Sequence, residues 1–279
     1  MGRWFASFLL KEGCEVVITG RNERKLLEAR QRLDVAAISN NVEAVRNADA
    51  ILIAVSIDNF ERVVEQLHPY IQPKQVVVDI TSTKVVPVEV MHKYIKTGLV
   101  LGMHPVFGPG ADGVRKQNFV LTPTDEKESA LARKIREHLE TRGARVTLMT
   151  PHEHDEMMAV ILGLTHFIAI VSADTLLSFD KLKQMGAAGG NSYKVLLTLV
   201  ESVISEDPEF YASLQMDLPK MAEIEEMFQG RVKTWADLVK NKDRQKFAQQ
   251  MSVLRKRIEK SDPNFGGAYE KMYKLMEEL

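Results

Sequence analysis

Short runs of β-branched and aliphatic residues recur through the first half of this chain and stop near residue 150, and that change of texture limits the possible folds more than any other feature. The runs lie at 16–19, 50–55, 76–80, 100–103, 119–122 and 146–149. Several are apolar throughout, as strands covered on both faces are. They alternate with amphipathic stretches at 23–33 and 59–67, which read as crossover helices over a parallel sheet. Beyond Pro151 apolar residues recur at three and four positions instead, in 157–177, 193–204 and 210–228, so this half reads as helical. Gly186, Gly189 and Gly190 fall in one break, Asp207 and Pro208 suit a helix start, and Gly230 suits a helix end. The expectation is an α/β, doubly wound domain over 1–150 followed by an all-α domain over 151–279.

Composition removes several function classes. Thirty-seven basic and 38 acidic side chains give a net charge of −1, so no bulk attraction to nucleic acid is expected. Cys14 is the single cysteine; it forms no internal disulfide and no zinc cluster, which reads as cytosolic. No G-x-S-x-G, H-E-x-x-H or P-loop is present, and no metal is expected. The first ten residues do not form a signal peptide. Residues 157–177 are almost long enough to span a bilayer but carry His166 and Asp174, so a buried helix is expected there and not a membrane span.

The opening residues are anomalous for such a fold. Doubly wound sheets begin with a strand and a glycine-rich turn whose amides take a dinucleotide pyrophosphate. Here Gly2, Arg3, Ala6 and Gly13, followed by the run at 16–19, read as the end of a G-x-G-x-x-G turn, its helix and the second strand of a Rossmann-like unit. Gly2 stands as the third glycine. The first strand and two glycines are absent, which implies a misassigned or shortened start and a sheet with two extra edges. A plain amphipathic helix with a C-terminal glycine accounts for the same residues. No carboxylate follows the second strand; Arg21, Asn22 and Arg24 stand there. A guanidinium suits a 2′-phosphate, which favours NADP over NAD, although a solvated loop arginine also fits.

Four motifs then carry a resemblance. They are L-G-M-H-P-V-F-G-P-G at 101–110, on a loop just past a strand end, D-I-T-S-T-K at 79–84, H-D-E-M-M at 154–158 and T-H-F at 165–167. Together they resemble the prephenate dehydrogenase family over nearly the whole chain. The resemblance implies a nucleotide-binding domain, a helical domain that forms a homodimer, and oxidative decarboxylation of prephenate to 4-hydroxyphenylpyruvate in tyrosine biosynthesis. It implies that His104 accepts the substrate's hydroxyl proton and that Ser82 orients substrate and nicotinamide; Ser82 also suits a helix N-cap. His154 and His166 are implied to line the substrate cleft, the spacing of twelve residues being taken to return to one helix face; a satisfied core role for His166 stays open. Where the family carries an arginine for a substrate carboxylate this chain has Lys194, a point charge in place of a fork, so arogenate is an alternative substrate and a surface lysine an alternative reading. A β-hydroxyacid dehydrogenase is disfavoured, since no lysine follows Gly163 closely. A dimeric protein that has lost nucleotide binding is the non-enzymatic alternative.

Overall fold

Strand β4 (Val76–Asp79) and strand β5 (Leu99–Pro105) lie at the middle of the first half, and their side chains alternate between two cores. In the computed structural model, which describes residues 1–277, the chain forms two compact units, residues 1–158 and 159–279. Val78, Leu101 and Met103 face one core of the first unit with Phe119 and Leu121. Val77 and Val100 face the other with Phe60, Val88 and Met91. This period of two is what a strand covered on both faces requires. Each fully buried aromatic or aliphatic side chain here contributes roughly 1.5–3 kcal/mol.

Strands β3 (Ala50–Ile53), β4, β5, β6 (Asn118–Thr122) and β7 (Arg145–Leu148) form one sheet in that order, parallel except where β5 meets β6. Strands β1 (Val17–Thr19) and β2 (Ala36–Ile38) pair parallel in a separate two-stranded sheet. Helices α2 (Glu23–Leu33), α4 (Ile57–Leu67), α5 (Val85–Tyr94) and α6 (Glu126–Glu140) supply the crossovers, while α1 (Gly2–Lys11) precedes β1 and α3 (Asn41–Arg46) joins β2 to β3. A Rossmann-like α/β arrangement followed by helices is therefore the fold.

Helix α7 (Pro151–Met158) closes the first unit, because His154 and Asp155 are buried in it. That carries the unit past residue 150. A six-residue π-helical stretch, Ala159–Leu164, follows, then α8 (Thr165–Leu177). Within the π stretch Gly163 lies against the Met221 thioether, and its carbonyl accepts from Gln215 Nε2 at 3.0 Å. A carbonyl freed from the i→i−4 ladder thereby finds a partner.

The second unit continues with α9 (Leu182–Ala188), α10 (Asn191–Ile204), α11 (Pro208–Asp217), α12 (Met221–Lys240), α13 (Arg244–Ser261) and α14 (Ala268–Glu277). Asp207 caps α11 by accepting from the Glu209 amide at 3.1 Å. The apolar period at 210–228 is not one helix: Pro219 restricts Leu218 to extended backbone, and Lys220 is left-handed at φ 60°. Gly230 lies inside α12 and ends nothing. The expectation of a buried helix at 157–177 also needs correction. Only 17% of the most apolar window of helical residues 151–177 is buried within the chain, and Val160, Ile161, Val171 and Leu177 are exposed.

Candidate active site

Period-two alternation along β5 puts Gly102 and His104 on one face, and along β4 puts Val77 and Asp79 on one face. His104 is not on a loop: β5 extends through Pro105, and His104 pairs with Val120 of β6. The loop begins beyond Pro105, and Trp4 of α1 ties it down by donating from Nε1 to the Ala111 carbonyl at 2.7 Å while its ring packs on Phe107.

Asp79, at the end of a strand that is otherwise all valine, is fully buried. Its Oδ1 accepts from the Thr81 amide at 2.7 Å, and its Oδ2 pairs with the Lys84 ammonium. Lys84 is likewise fully buried; burial pushes its pKa down, and Asp79 opposes that shift. The lysine stem passes over Gly102, where a Cβ would lie 2.9 Å from Val88 and 3.1 Å from the Lys84 stem, and would collide with the Thr122 hydroxyl. Glycine in the L-G-M-H motif is thus required chiefly by the Thr122 hydroxyl and Val88, with the Lys84 stem close beside them.

The start of α5 is capped from seventy residues away. Neither Thr81, Ser82 nor Thr83 caps it; Asp155 Oδ1 accepts from the Lys84 amide at 2.7 Å and Oδ2 from the Val85 amide at 2.9 Å. A carboxylate at a helix N-terminus is favoured by the free amides and by the dipole. Asp155 Oδ1 also lies 2.6 Å from His154 Nδ1, and His154 Nε2 lies 2.8 Å from His104 Nδ1. Both rings are almost sealed, His154 at 0% and His104 at 4% exposure. Among the described residues His104 Nε2 has no hydrogen-bond partner, and it is not one of the fully buried unpartnered atoms, so it keeps some solvent contact. Burial first, then the His154 ring and the Lys84 charge, hold the His104 pKa well below the ordinary imidazole value. Burial also lowers that of His154, opposed by Asp155. His104 is therefore a neutral imidazole with one nitrogen presented outward.

The other residues singled out in the sequence fall as follows. Ser82 is half-buried between Thr81 and Thr83, and its hydroxyl makes no hydrogen bond among the described residues. The expectation that His154 lines a cleft meets a fully buried ring with both nitrogens engaged. The shared helix face of His154 and His166 is also corrected. Twelve residues at about 100° each overshoot three turns by about 120°, and the π stretch lies between the two histidines. His166 belongs to the second unit, its ring 4.9 Å from that of Tyr211, with Nδ1 buried and unpartnered, so it is no satisfied core group. Lys194 is exposed on α10.

Gly2 opens α1 beside the end of β3, where a Cβ would lie 3.2 Å from that of Ala54. Such a close approach of a helix N-terminus to a strand's carboxyl end is what a dinucleotide site uses. Arg21 is exposed just beyond β1, Asn22 spends its side-chain oxygen capping α2 at 3.0 Å from the Lys25 amide, and Arg3 lies 3.7 Å from Glu28. Of these, Gly2 has the close helix-to-strand approach and Arg21 is free to meet a phosphate, whereas Asn22 and Arg3 already have partners within the chain.

Comparison with known proteins agrees with this geometry. The family model of the prephenate dehydrogenase nucleotide-binding domain matches residues 5–148, and that of the prephenate dehydrogenase dimerization domain matches residues 150–253. The chain belongs to the prephenate dehydrogenase family. It is 33% identical over 259 residues to the probable arogenate/prephenate dehydrogenase of Methanocaldococcus jannaschii, covering 92% of this chain and 58% of that protein. It is 26% identical over 248 residues to the T-protein of Haemophilus influenzae, covering 88% and 61%. The chain thus spans 58% and 61% of the length of these curated relatives. The crystal structure of prephenate dehydrogenase from A. aeolicus in complex with hydroxyphenyl propionate and NAD+ shares its fold, with a TM-score of 0.76 at 20% identity over 94% of this chain and 95% of that one.

Sequence reasoning quoted Asp79, Lys84 and Asp155 inside motifs but assigned them no role. The available signals were a carboxylate ending an all-valine strand and a carboxylate directly after a histidine.

Proposed function

We propose that this chain oxidises and decarboxylates prephenate, giving 4-hydroxyphenylpyruvate and CO2 with hydride transfer to a nicotinamide dinucleotide. The observation that carries this reading is the outward Nε2 of a neutral His104 at the sheet's carboxyl edge. As the substrate's carbinol carbon becomes carbonyl-like, its hydroxyl proton passes to Nε2. The bond to the departing carboxylate then supplies the electrons that aromatise the ring, and Nε2 returns the proton to the phenolic oxygen. Charges balance without a net proton. Bound nicotinamide supplies the hydride acceptor. Ser82, on the neighbouring loop, orients the substrate's oxygen.

The α1 N-terminus with Gly2 and Arg3, and the Arg21 and Asn22 region beyond β1, hold the dinucleotide. Arg21 favours NADP, and Arg21→Asp shifts preference toward NAD; unchanged selectivity removes that contact. Within the second unit, His166 and Lys194 are the proposed substrate-binding residues. Lys194 offers one point charge where two parallel donors suit a carboxylate better, which keeps arogenate as the second reading. The exposed apolar residues of helical residues 151–177 pack against a second copy of the chain. The deciding assay supplies prephenate and arogenate separately with NAD+ and NADP+ and follows reduced nicotinamide and released CO2. A chain that binds dinucleotide yet is inert to both substrates sinks the reading.

A further inference from the structure

We propose that Asp155 and His154 fix the tautomer of His104, making them positioning residues whose product is a bare Nε2. The proton-accepting use of that nitrogen rests on the dehydrogenase reading above; the tautomer itself does not. Asp155 receives two backbone N–H groups, from Lys84 at 2.7 Å and Val85 at 2.9 Å. Backbone amides only donate, and an anionic carboxylate only accepts. At this helix N-terminus both Asp155 oxygens act as acceptors. His154 Nδ1, 2.6 Å from that carboxylate, must therefore carry the hydrogen. In a neutral ring the other nitrogen is then bare, so His154 Nε2 accepts across 2.8 Å from His104 Nδ1–H. His104 Nε2 is left as the lone pair. Each assignment follows from the one before, and the first is set by main-chain atoms that cannot change role.

The buried Lys84 ammonium strengthens the arrangement by disfavouring a second positive charge on either ring. His154 thus has no atom left for substrate, and its complete burial agrees with an internal role.

The test is imidazole ¹⁵N NMR on the full chain with labelled histidine, at a pH where both rings are neutral. The expected result is His104 and His154 both in the Nδ1–H form. Asp155→Asn with its oxygen on the Val85 amide turns an NH2 to the Oδ1 position that His154 Nδ1 and the Lys84 amide share, which reverses both tautomers and puts a hydrogen on His104 Nε2. Turnover of prephenate or arogenate then falls about a thousandfold or more with KM little changed, as for the wrong tautomer in a serine-protease triad. In a His154→Gln background the same Asp155→Asn change has little further effect, because the link is already cut. His104 found as Nε2–H in the unaltered chain overturns the proposal, as does an unchanged His104 tautomer in folded Asp155→Asn. The unaltered chain suffices if Asp155→Asn does not fold, and the NMR result stands even if neither substrate is turned over, in which case only the dehydrogenase reading fails.

Discussion

In the first unit the buried Asp155 carboxylate meets three donors and the buried Lys84 ammonium meets a carboxylate and a hydroxyl, whereas in the second unit His166 Nδ1, Tyr193 Oη and Gln215 Oε1 are buried without any partner. Among the described residues, Thr83 Oγ1 is the corresponding orphan of the first unit. A buried polar group without a partner costs about 1–3 kcal/mol. The first unit has spent its polar atoms on one another, which makes a rigid, pre-set group of side chains. The second leaves these polar atoms unpartnered and carries exposed apolar residues, Val171 and Leu177 among them. Rigidity would suit the proton-accepting role proposed for His104, because a base works only if its lone pair is already in place.

The sharpest way to break this contrast is to remove one member of the saturated set. Lys84→Met leaves Asp79 buried without its cation and is expected to cost about 3–5 kcal/mol, read from denaturant midpoints; a loss below about 1 kcal/mol means the pair is not sealed. His104→Asn removes the base without disturbing Asp79 or Lys84, and turnover should drop about a hundredfold or more with a modest change in KM. Turnover close to that of the unaltered chain takes His104 out of the chemistry. A matched pair of glycines compares the two units directly. Gly102→Ala pushes against the Thr122 hydroxyl, Val88 and the Lys84 stem, and overpacking of this kind costs about 1–3 kcal/mol. Gly163→Ala meets chiefly the flexible end of Met221, so its melting temperature should move less, the thioether yielding at low cost. Equal losses would show the two units to be packed alike. The smallest effect is expected for Lys194→Arg, where a several-fold gain in prephenate affinity supports a carboxylate contact and none places the residue elsewhere.

The parts of the fold legible from residues alone were those with strong local signals. Strands β4 and β5 announce themselves because both faces are covered, and α2 because its apolar period is regular. Strand β2 was not read: Ala36, Ala37 and Ile38 are too few and too small to stand out. The break between α11 and α12 was hidden because apolar spacing carries on across Pro219. At the site, His104 stood in the most specific motif. Its supports did not, since Lys84 and Asp155 meet across 71 positions, and no periodicity records such a meeting. The family resemblance places His154 at the substrate; its packing, with both ring nitrogens engaged, turns it inward.

One contact near the start of the chain has a practical use. The indole of Trp4 hydrogen-bonds the Ala111 carbonyl and leans on Phe107, so its emission reports on the segment after the H-P-V-F-G-P motif. With Trp235 the only other tryptophan, in the second unit against Phe247, replacing that one leaves a chain with a single native optical probe, and ligand arrival can be timed without attaching a dye.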